Sequence, residues 1–417
     1  MPSQAQSVAA FPQSGEDGPT SQGTAYPRKP ALHLVPSPRG AAESKRYLFV
    51  NTVRFWSMAA IVALHCVNVV CGVYSSRGLL QAALTQPLKF GTIGFFLISG
   101  LLMGSRLDAQ PPIVYLKRRL KRLVGPWILW FVLFIVGMTA ANAVANPASV
   151  ANVTLLVSNL LSKATFAIVY TPFWFVPNLI VGMICLLLCR RWINDLRFGS
   201  ALLAVNLVYV ANVYGRWFDT SHTEALFAFV LYLWLGAWSA LHIDEIQDKL
   251  ARLPAWLMPS LAVVSFAAAM LESILLQRLG SGDPLNTLRI TNQVFSVVVV
   301  LWMVRLKRAT WPASIDVPAT TYGIHLIHIF AISLLVPVLH FSVAHQLLST
   351  EPWMMLPILV AAVGIAYGGS LVVTRYLATV PAMAWTVGAV AVAKQVSASD
   401  NVRYSQPTLG LLVNSQG

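Results

Sequence analysis

Long apolar runs separated by short polar connections occupy most of this chain of 417 residues. A run of about 20 apolar residues is long enough to cross a bilayer as a helix. Ten runs are predicted to be membrane spans, and they lie at residues 48–73, 88–104, 124–145, 173–189, 198–214, 224–241, 255–276, 290–304, 317–339 and 353–377. The pattern therefore predicts an all-α, polytopic membrane protein with about ten transmembrane helices.

Two apolar segments do not fit this scheme. Residues 146–171 are less hydrophobic and are predicted to form a loop with an interfacial helix. Residues 380–393 are short for a span and contain Pro381. We therefore expect this second segment to lie at the membrane interface.

The ends of the chain differ from its middle in composition. Residues 1–44 are rich in Ser, Gln, Gly and Pro, which is typical of a disordered segment. The predicted organisation is a disordered cytoplasmic tail at 1–44, a membrane domain at 45–385 and a short cytoplasmic C-terminal tail at 386–417.

The overall composition supports a membrane protein. Hydrophobic residues make up 57% of the chain and charged residues 11%, whereas a soluble domain has about 25% charged residues. This excludes a soluble enzyme, a disordered protein, a coiled coil and a small domain held by disulfides. The four cysteines lie in or beside apolar runs without a C-x-x-C pair, so disulfides are not predicted.

The net charge of +14 would suggest nucleic-acid binding in a soluble protein. With the N terminus in the cytoplasm and alternating spans, however, most of the 29 lysines and arginines fall on the cytoplasmic side. This bias follows the positive-inside rule with both termini cytoplasmic. We therefore expect a multi-pass protein of a bacterial-type inner (plasma) membrane, partnered by the lipid bilayer and not by nucleic acid.

Two ionisable residues lie inside the first predicted span, Arg54 and His65. They are eleven residues apart, which places them on one helix face about 16 Å apart along the axis. They can therefore line one cavity at two depths. Ionisable groups inside a membrane are candidates for function, although Arg54 could instead reach lipid phosphate and His65 could be a hydrogen-bonded packing residue.

A basic cluster, YLKRRLKRLVGPW, precedes the third predicted span. Its Arg118, Arg119 and Arg122 can hold phosphates through forked hydrogen bonds. The alternative is plain positive-inside charge that contacts anionic lipid.

Weaker candidates lie in other spans. In GFFLISG, the small residues allow close helix approach, and packing is the favoured interpretation of Ser99. In TTYGIHLIHIF, His325 and His328 share one helix face, but two ligands are too few for a metal site, so none is predicted. Glu272 is the only acid well inside a span, where it could pair with a cation or reach water. Trp174 could belong to an aromatic belt.

The order and spacing of these motifs resemble the acyltransferase 3 family of integral membrane acyltransferases, over about residues 45–385. Arg54 and His65 resemble its basic residue separated by ten residues from a histidine. GFFLISGLL resembles its Phe-Phe-x-x-Ser-Gly-Phe motif, and RRLKRLVGPW its Arg-x-x-Arg stretch before a proline. FWFVPNL resembles its Trp-Phe-Leu segment, and YGIHLIH its Tyr-Gly-Ile-Tyr-Leu-x-His motif.

Four positions depart from the family pattern. Asn51 stands where the family often has Asp, which removes a carboxylate partner for Arg54. His325 replaces the usual tyrosine, Leu101 replaces the final Phe of the second motif, and Pro172 and Phe173 stand where a polar residue often precedes the Trp-Phe-Leu segment.

The resemblance implies transfer of an acyl group, usually acetyl, from cytoplasmic acyl-CoA to a hydroxyl of an extracytoplasmic or surface carbohydrate. His65 would be the general base or a transient acyl carrier, and Arg54 would orient the donor or stabilise developing charge. Arg118, Arg119 and Arg122 would bind the donor phosphates. Acyl-CoA is a co-substrate, and no bound cofactor is expected.

The residues predicted to line the cavity are Phe95, Phe96, Ser99, Trp174, Tyr322, His325, His328 and Glu272. A family member could also leave the choice of acceptor to a partner protein that accepts the acyl group. The alternative from another class is a multi-span secondary transporter or flippase, although transporters commonly carry several intramembrane acids.

Overall fold

The computed structural model describes residues 48–73, 78–107, 110–306, 310–341 and 354–389. These residues form helices and connections without strands, which confirms the all-α prediction. The tail predicted at 1–44 and most of the tail predicted at 386–417 lie outside the described residues.

Thirteen α-helices are numbered here in chain order within the described residues. They are α1 Leu48–Val73, α2 Leu79–Thr85, α3 Phe90–Gly104, α4 Pro112–Ala145, α5 Val153–Tyr170, α6 Phe175–Leu188, α7 Leu196–Gly215, α8 Val230–Leu241, α9 Ile243–Arg252, α10 Leu257–Arg278, α11 Ile290–Arg305, α12 Val317–Phe341 and α13 Met355–Thr379. Short 3-10 turns lie at Gln86–Leu88, Pro147–Val150, Pro172–Trp174, Arg190–Trp192 and Ala384–Val387.

Eight helical segments in the described part of the chain are long and apolar enough to cross a membrane, and one of them, Leu79–Gly104, combines α2, the Gln86–Leu88 turn and α3. Three further apolar helices are shorter, and they correspond to predicted spans at 173–189, 224–241 and 290–304. The sixth predicted span begins later than expected, because residues 224–229 form turns and the helix starts at Val230.

The segment 146–171 differs from its prediction. It contains the 18-residue helix α5, whose mean hydropathy of 1.5 is compatible with membrane crossing. Asn152 caps the start of this helix, because its side chain accepts a hydrogen bond from the Leu155 N–H. A helix was predicted in this stretch, but at the interface, because polar residues such as Asn159 and Lys163 lower its hydropathy.

Helix α5 runs antiparallel to the long helix α4. Near one end of the pair, Asn159 Nδ2 donates to Ser149 Oγ at 3.5 Å. At the other, Trp127 Nε1 donates to the Phe173 carbonyl at 3.0 Å. Because Trp127 lies within α4, the Pro172–Trp174 turn falls beside the interior of that helix and brings the start of α6 into the bundle.

The closest helix approach joins α3 to α8. A Cβ added to Gly100 would lie 1.9 Å from the Leu233 carbonyl oxygen, and one added to Gly236 would lie 2.0 Å from the Leu97 oxygen. Only glycine fits such a contact without a backbone shift. This seam fixes the position of the GFFLISG segment.

Helix α1 packs against α3, α11, α12 and α13. Its residues Val53, Met58 and Val62 are fully buried. The two ionisable residues of this helix therefore lie within the bundle.

The last described segment packs onto the bundle. Trp130 Nε1 of α4 donates to the Thr386 carbonyl at 2.9 Å, and Val387 is 1% exposed. The described part of the apolar segment 380–393 therefore contacts protein.

Candidate active site

Two cavities within the helical bundle share two lining residues, Phe175 of α6 and His325 of α12. One, of about 180 Å³, also contains Arg54 and Arg119 and is called the arginine cavity. The other, of about 560 Å³, also contains His65 and His222 and is called the histidine cavity. The rings of Phe175 and His325 are 5.3 Å apart at their centres, so this pair separates the two spaces.

The arginine cavity is positively charged. Arg54 Nη1 donates to Asn51 Oδ1 at 3.4 Å, so a neutral amide stands where the family often has a carboxylate. Arg119 Nε donates to the Tyr115 hydroxyl at 3.1 Å, and its guanidinium lies 5.6 Å from that ring centre. No Asp or Glu is among the described residues that line this cavity. The site is therefore suited to an anion.

Only one of the three predicted phosphate ligands reaches the arginine cavity. Arg119 lines it, whereas Arg118 and Arg122 are exposed on other faces of α4. Helical rotation separates the neighbouring Arg118 and Arg119 by about 100°. The cluster therefore contributes one cation to the interior and leaves two at the surface.

The predicted aromatic and small residues divide between the cavities and the core. Phe95, Ser99 and Tyr322 line the arginine cavity, and Trp174 lines the histidine cavity. Phe96 lines neither, because it is 1% exposed and stacks on Phe229 with ring centres 4.8 Å apart.

The histidine cavity carries both signs of charge. Lys89, Asp219 and Asp283 line it together with the imidazoles. The Trp174 and His222 rings stack at 4.3 Å with an angle of 17° between their planes. Burial lowers the pKa of His222 to about 4, so its imidazole is neutral at pH 7.

Three imidazoles gather near the boundary between the cavities. The His65 ring lies 5.5 Å from the His328 ring, and His328 lies 6.0 Å from His325, measured between centres. His65 lines the histidine cavity, whereas His328 is fully buried behind it. No group of three or more His, Cys, Asp or Glu side chains in the described regions is arranged to hold a metal ion.

Arg54 and His65 both face the bundle interior, as their spacing predicted. They line different cavities, however. The expectation of one cavity at two depths is replaced by two spaces that share Phe175 and His325 as lining residues.

Glu272 lies in neither cavity. It accepts hydrogen bonds from the hydroxyls of Tyr214 and Thr291, and its Oε2 lies 3.6 Å from Nη1 of Arg289. Arg289 is fully buried and also donates to the Asn286 carbonyl at 3.1 Å. Glu272 therefore balances a structural cation.

This buried network holds the connections that complete the histidine cavity. Asn286 Nδ2 donates to the Thr220 carbonyl at 2.9 Å, and His222 Nε2 lies 3.2 Å from Thr287 Oγ1. Arg289 Nη2 donates to Gln86 Oε1 at 2.5 Å, beside the turn that precedes Lys89. The connections after α7 and α10 are thereby tied to the start of α3.

Sequence reasoning did not select Lys89, Asp219, His222 or Asp283. Each lies outside the motifs and near a predicted span end, where polar residues are common for reasons of topology alone. Lys89 alone could have been noticed from the sequence. It lies directly before the apolar helix α3, on the predicted non-cytoplasmic side, where basic residues are few. The others become neighbours only through the folded connections.

The comparisons with known proteins agree with this architecture. The acyltransferase domain model of the acyltransferase 3 family matches residues 47–375. No curated protein and no solved structure gave a match. The matched segment contains all described residues that line either cavity. The chain therefore belongs to the acyltransferase 3 family and is a multi-pass membrane acyltransferase.

Proposed function

We propose that the protein transfers an acyl group, in the simplest case acetyl, from cytoplasmic acyl-CoA to a hydroxyl of an extracytoplasmic carbohydrate. The observation that carries this proposal is the pair of unlike cavities meeting at Phe175 and His325. A donor rich in phosphate and an acceptor rich in hydroxyls need different binding chemistry. The bacterial-type inner membrane is the proposed location.

The arginine cavity fits the donor. No carboxylate among the described lining residues neutralises its two guanidinium groups, so they favour an anionic ligand. A volume of about 180 Å³ is too small for a whole coenzyme A. We infer that the thioester arm enters while the phosphates stay at the mouth, where Arg119 pairs with them. The exposed Arg118 and Arg122 add only an attraction that solvent and salt screen.

The histidine cavity fits the acceptor. Its volume of about 560 Å³ holds a ligand of sugar size. Asp219, Asp283 and Lys89 offer hydrogen bonds to hydroxyl groups, and Trp174 offers an apolar ring. The two carboxylates repel the phosphates of the donor. The charges of the two cavities therefore favour the donor in the arginine cavity and the acceptor in the histidine cavity.

His65 is placed to act on the acceptor. Its imidazole is half-buried, lines the histidine cavity and makes no hydrogen bond with another described residue. As a general base it takes the hydroxyl proton while the acceptor oxygen bonds to the thioester carbon. The carbon–sulfur bond then breaks, and the proton passes to the departing thiolate. As an acyl carrier, His65 would first attack the thioester carbon itself, so that the carbon–sulfur bond breaks and the thiolate leaves. The acceptor hydroxyl would then take the acyl group as the carbon–nitrogen bond breaks, and its proton would pass to the thiolate.

Arg54 would act from the donor side. A cation close to the thioester carbonyl stabilises the negative charge that develops on its oxygen. The same guanidinium could instead orient the donor. Both roles require the cavities to communicate between Phe175 and His325 during the reaction.

The experiment compares surface carbohydrate from cells lacking the gene with carbohydrate from cells complemented by wild-type protein or by His65→Ala. Mass spectrometry should detect acyl esters with the wild-type gene and none with His65→Ala, although the variant inserts normally. His242→Ala is the matched control, because His242 lies outside both cavities and stacks on Trp238. It should retain acylation.

Two results would contradict the proposal. Full acylation by His65→Ala would remove His65 from the chemistry. Unchanged acyl esters in the deletion strain, together with altered export of an intact molecule, would favour a transporter or flippase.

A further inference from the structure

A buried histidine beside the cavities has a ring nitrogen without a partner. His328 is 0% exposed, and its Nδ1 lies 3.0 Å from the Ile324 carbonyl oxygen. No described residue forms a hydrogen bond with its Nε2. An unpaired buried polar atom is costly, so this nitrogen calls for a functional explanation.

The bond to Ile324 determines the tautomer of His328. A carbonyl oxygen can only accept a hydrogen bond, so Nδ1 carries the proton in the neutral imidazole. The unpartnered Nε2 therefore holds a lone pair and can accept a hydrogen bond. His328 lies in α12, and the Ile324 carbonyl lies one turn earlier in the same helix. The hydrogen bond between them fixes the direction of the imidazole ring.

The imidazole of His65 is a suitable donor to this lone pair. Its ring centre is 5.5 Å from that of His328, a spacing that permits a hydrogen bond between ring nitrogens after a small ring rotation. His65 has room to rotate, because it borders a cavity and forms no hydrogen bond with another described residue. The titratable groups around His65 are His328, His325, Lys89 and His222. Of these, the fully buried His328 has a ring nitrogen, Nε2, that accepts no hydrogen bond from another described residue.

We propose that His328 is a positioning residue whose Nε2 accepts the N–H of His65 and so holds the His65 tautomer that presents a lone pair to the acceptor hydroxyl. This inference rests on the proposed function. When His65 takes the hydroxyl proton, the His328 hydrogen bond stabilises the imidazolium, and the proton leaves with the thiolate. His328 neither gains nor loses a proton over the cycle.

The two amide variants of His328 separate this role from packing. In His328→Asn, the side-chain N–H can still donate to Ile324, but no acceptor stands at the Nε2 position. In His328→Gln, the amide oxygen can stand near that position and accept from His65. Both variants are neutral, polar and close in size to histidine.

The experiment measures acyl transfer by purified protein with acetyl-CoA and a carbohydrate acceptor, along with the thermal stability of each variant. We expect kcat to fall about 10- to 100-fold in His328→Asn, as part of the about 10²- to 10⁴-fold that a general base contributes. The KM for acetyl-CoA should not change, because His328 does not line the arginine cavity. His328→Gln should recover kcat to within about threefold of wild type.

Equal losses of kcat in the two variants, or losses that follow their melting temperatures, would overturn the inference and assign His328 to packing. If the wild-type protein transfers the acyl group in that case, the proposed function still stands. Absence of transfer by wild-type protein would overturn both, so the two failures are distinguishable.

Discussion

The arginine cavity and the histidine cavity share a boundary but are built in different ways. Helices supply the whole lining of the arginine cavity, and its charges, Arg54 and Arg119, are helical residues. The histidine cavity is lined in part by Asp219, His222 and Asp283, which lie in the connections after α7 and α10. Loops tolerate change better than packed helices. The donor side is thus the more constrained half, and the acceptor side can be altered with less effect on the fold.

One helix joins the two halves. Helix α1 gives Arg54 to one cavity and His65 to the other, and it packs against four neighbouring helices. A rigid element that carries both residues keeps them in a fixed relation. Substitutions in one cavity should therefore impair binding of that cavity's ligand without moving the residues of the other.

Reversal of charge in the arginine cavity should have the largest effect. Arg119→Glu removes a charge-assisted hydrogen bond and repels donor phosphates, a combined loss of about 4 kcal/mol. We expect kcat/KM for acyl-CoA to fall about 10³-fold, measured with purified protein and labelled donor.

Arg118→Glu is the matched control for that variant. It makes the same change one residue earlier, at an exposed position outside the cavity. Solvent and salt screen this site, so its kcat/KM should fall no more than about tenfold. Equal losses in the two variants would show that the whole basic cluster, and not the cavity, binds the donor.

Acid should affect the histidine cavity more than the arginine cavity. Burial holds the pKa of His222 near 4, below its ordinary value of 6.5. Between these two pH values His222 is protonated in the unfolded chain but stays neutral in the folded protein. The free energy of unfolding therefore decreases as pH falls. From pH 7 to pH 5 we expect a loss of about 2 kcal/mol, or roughly 2 °C in the melting temperature.

His222→Gln isolates this contribution, because an amide does not titrate. The difference in melting temperature between pH 7 and pH 5 should be smaller in the variant than in wild-type protein. The same difference in both proteins would remove His222 as a source of acid sensitivity.

The smallest expected effect is the interaction energy between a substitution in the arginine cavity and one in the histidine cavity. Asp219→Asn should raise the KM for a carbohydrate acceptor several-fold, and Arg119→Ala should raise the KM for acyl-CoA. Sites that share no partner usually combine to within about 0.5 kcal/mol. The double variant should therefore show the sum of the single effects. A larger interaction energy would indicate that donor and acceptor occupy one continuous site.

The helical architecture could be predicted from the sequence because membrane spans leave a strong local signal. Apolar runs located α1, α7, α10, α12 and α13 closely. The signal was weaker for α5, whose 18 residues include polar side chains. Local hydropathy could not show that α5 pairs along α4, since that pairing depends on side-chain contacts such as the one between Trp127 and the Phe173 carbonyl.

The candidate site was predicted in part. A charged residue inside an apolar run is conspicuous, so Arg54 and His65 were found, and their helical spacing placed both toward the interior. Sequence could not distinguish Arg119 from Arg118 and Arg122, because that requires the orientation of α4 relative to its neighbours. Glu272 had the same intramembrane signal as Arg54 but pairs with the buried Arg289.

By itself, the sequence determined that this is an all-α membrane protein with an arginine and a histidine on one face of its first helix. Those properties follow from hydropathy and helix period, which are local. Long-range packing places this face beside two cavities, makes Phe175 and His325 common to both, and puts His328 behind His65. The physical reason is that each of these contacts joins helices and connections distant in sequence, and packing alone sets which side chains meet.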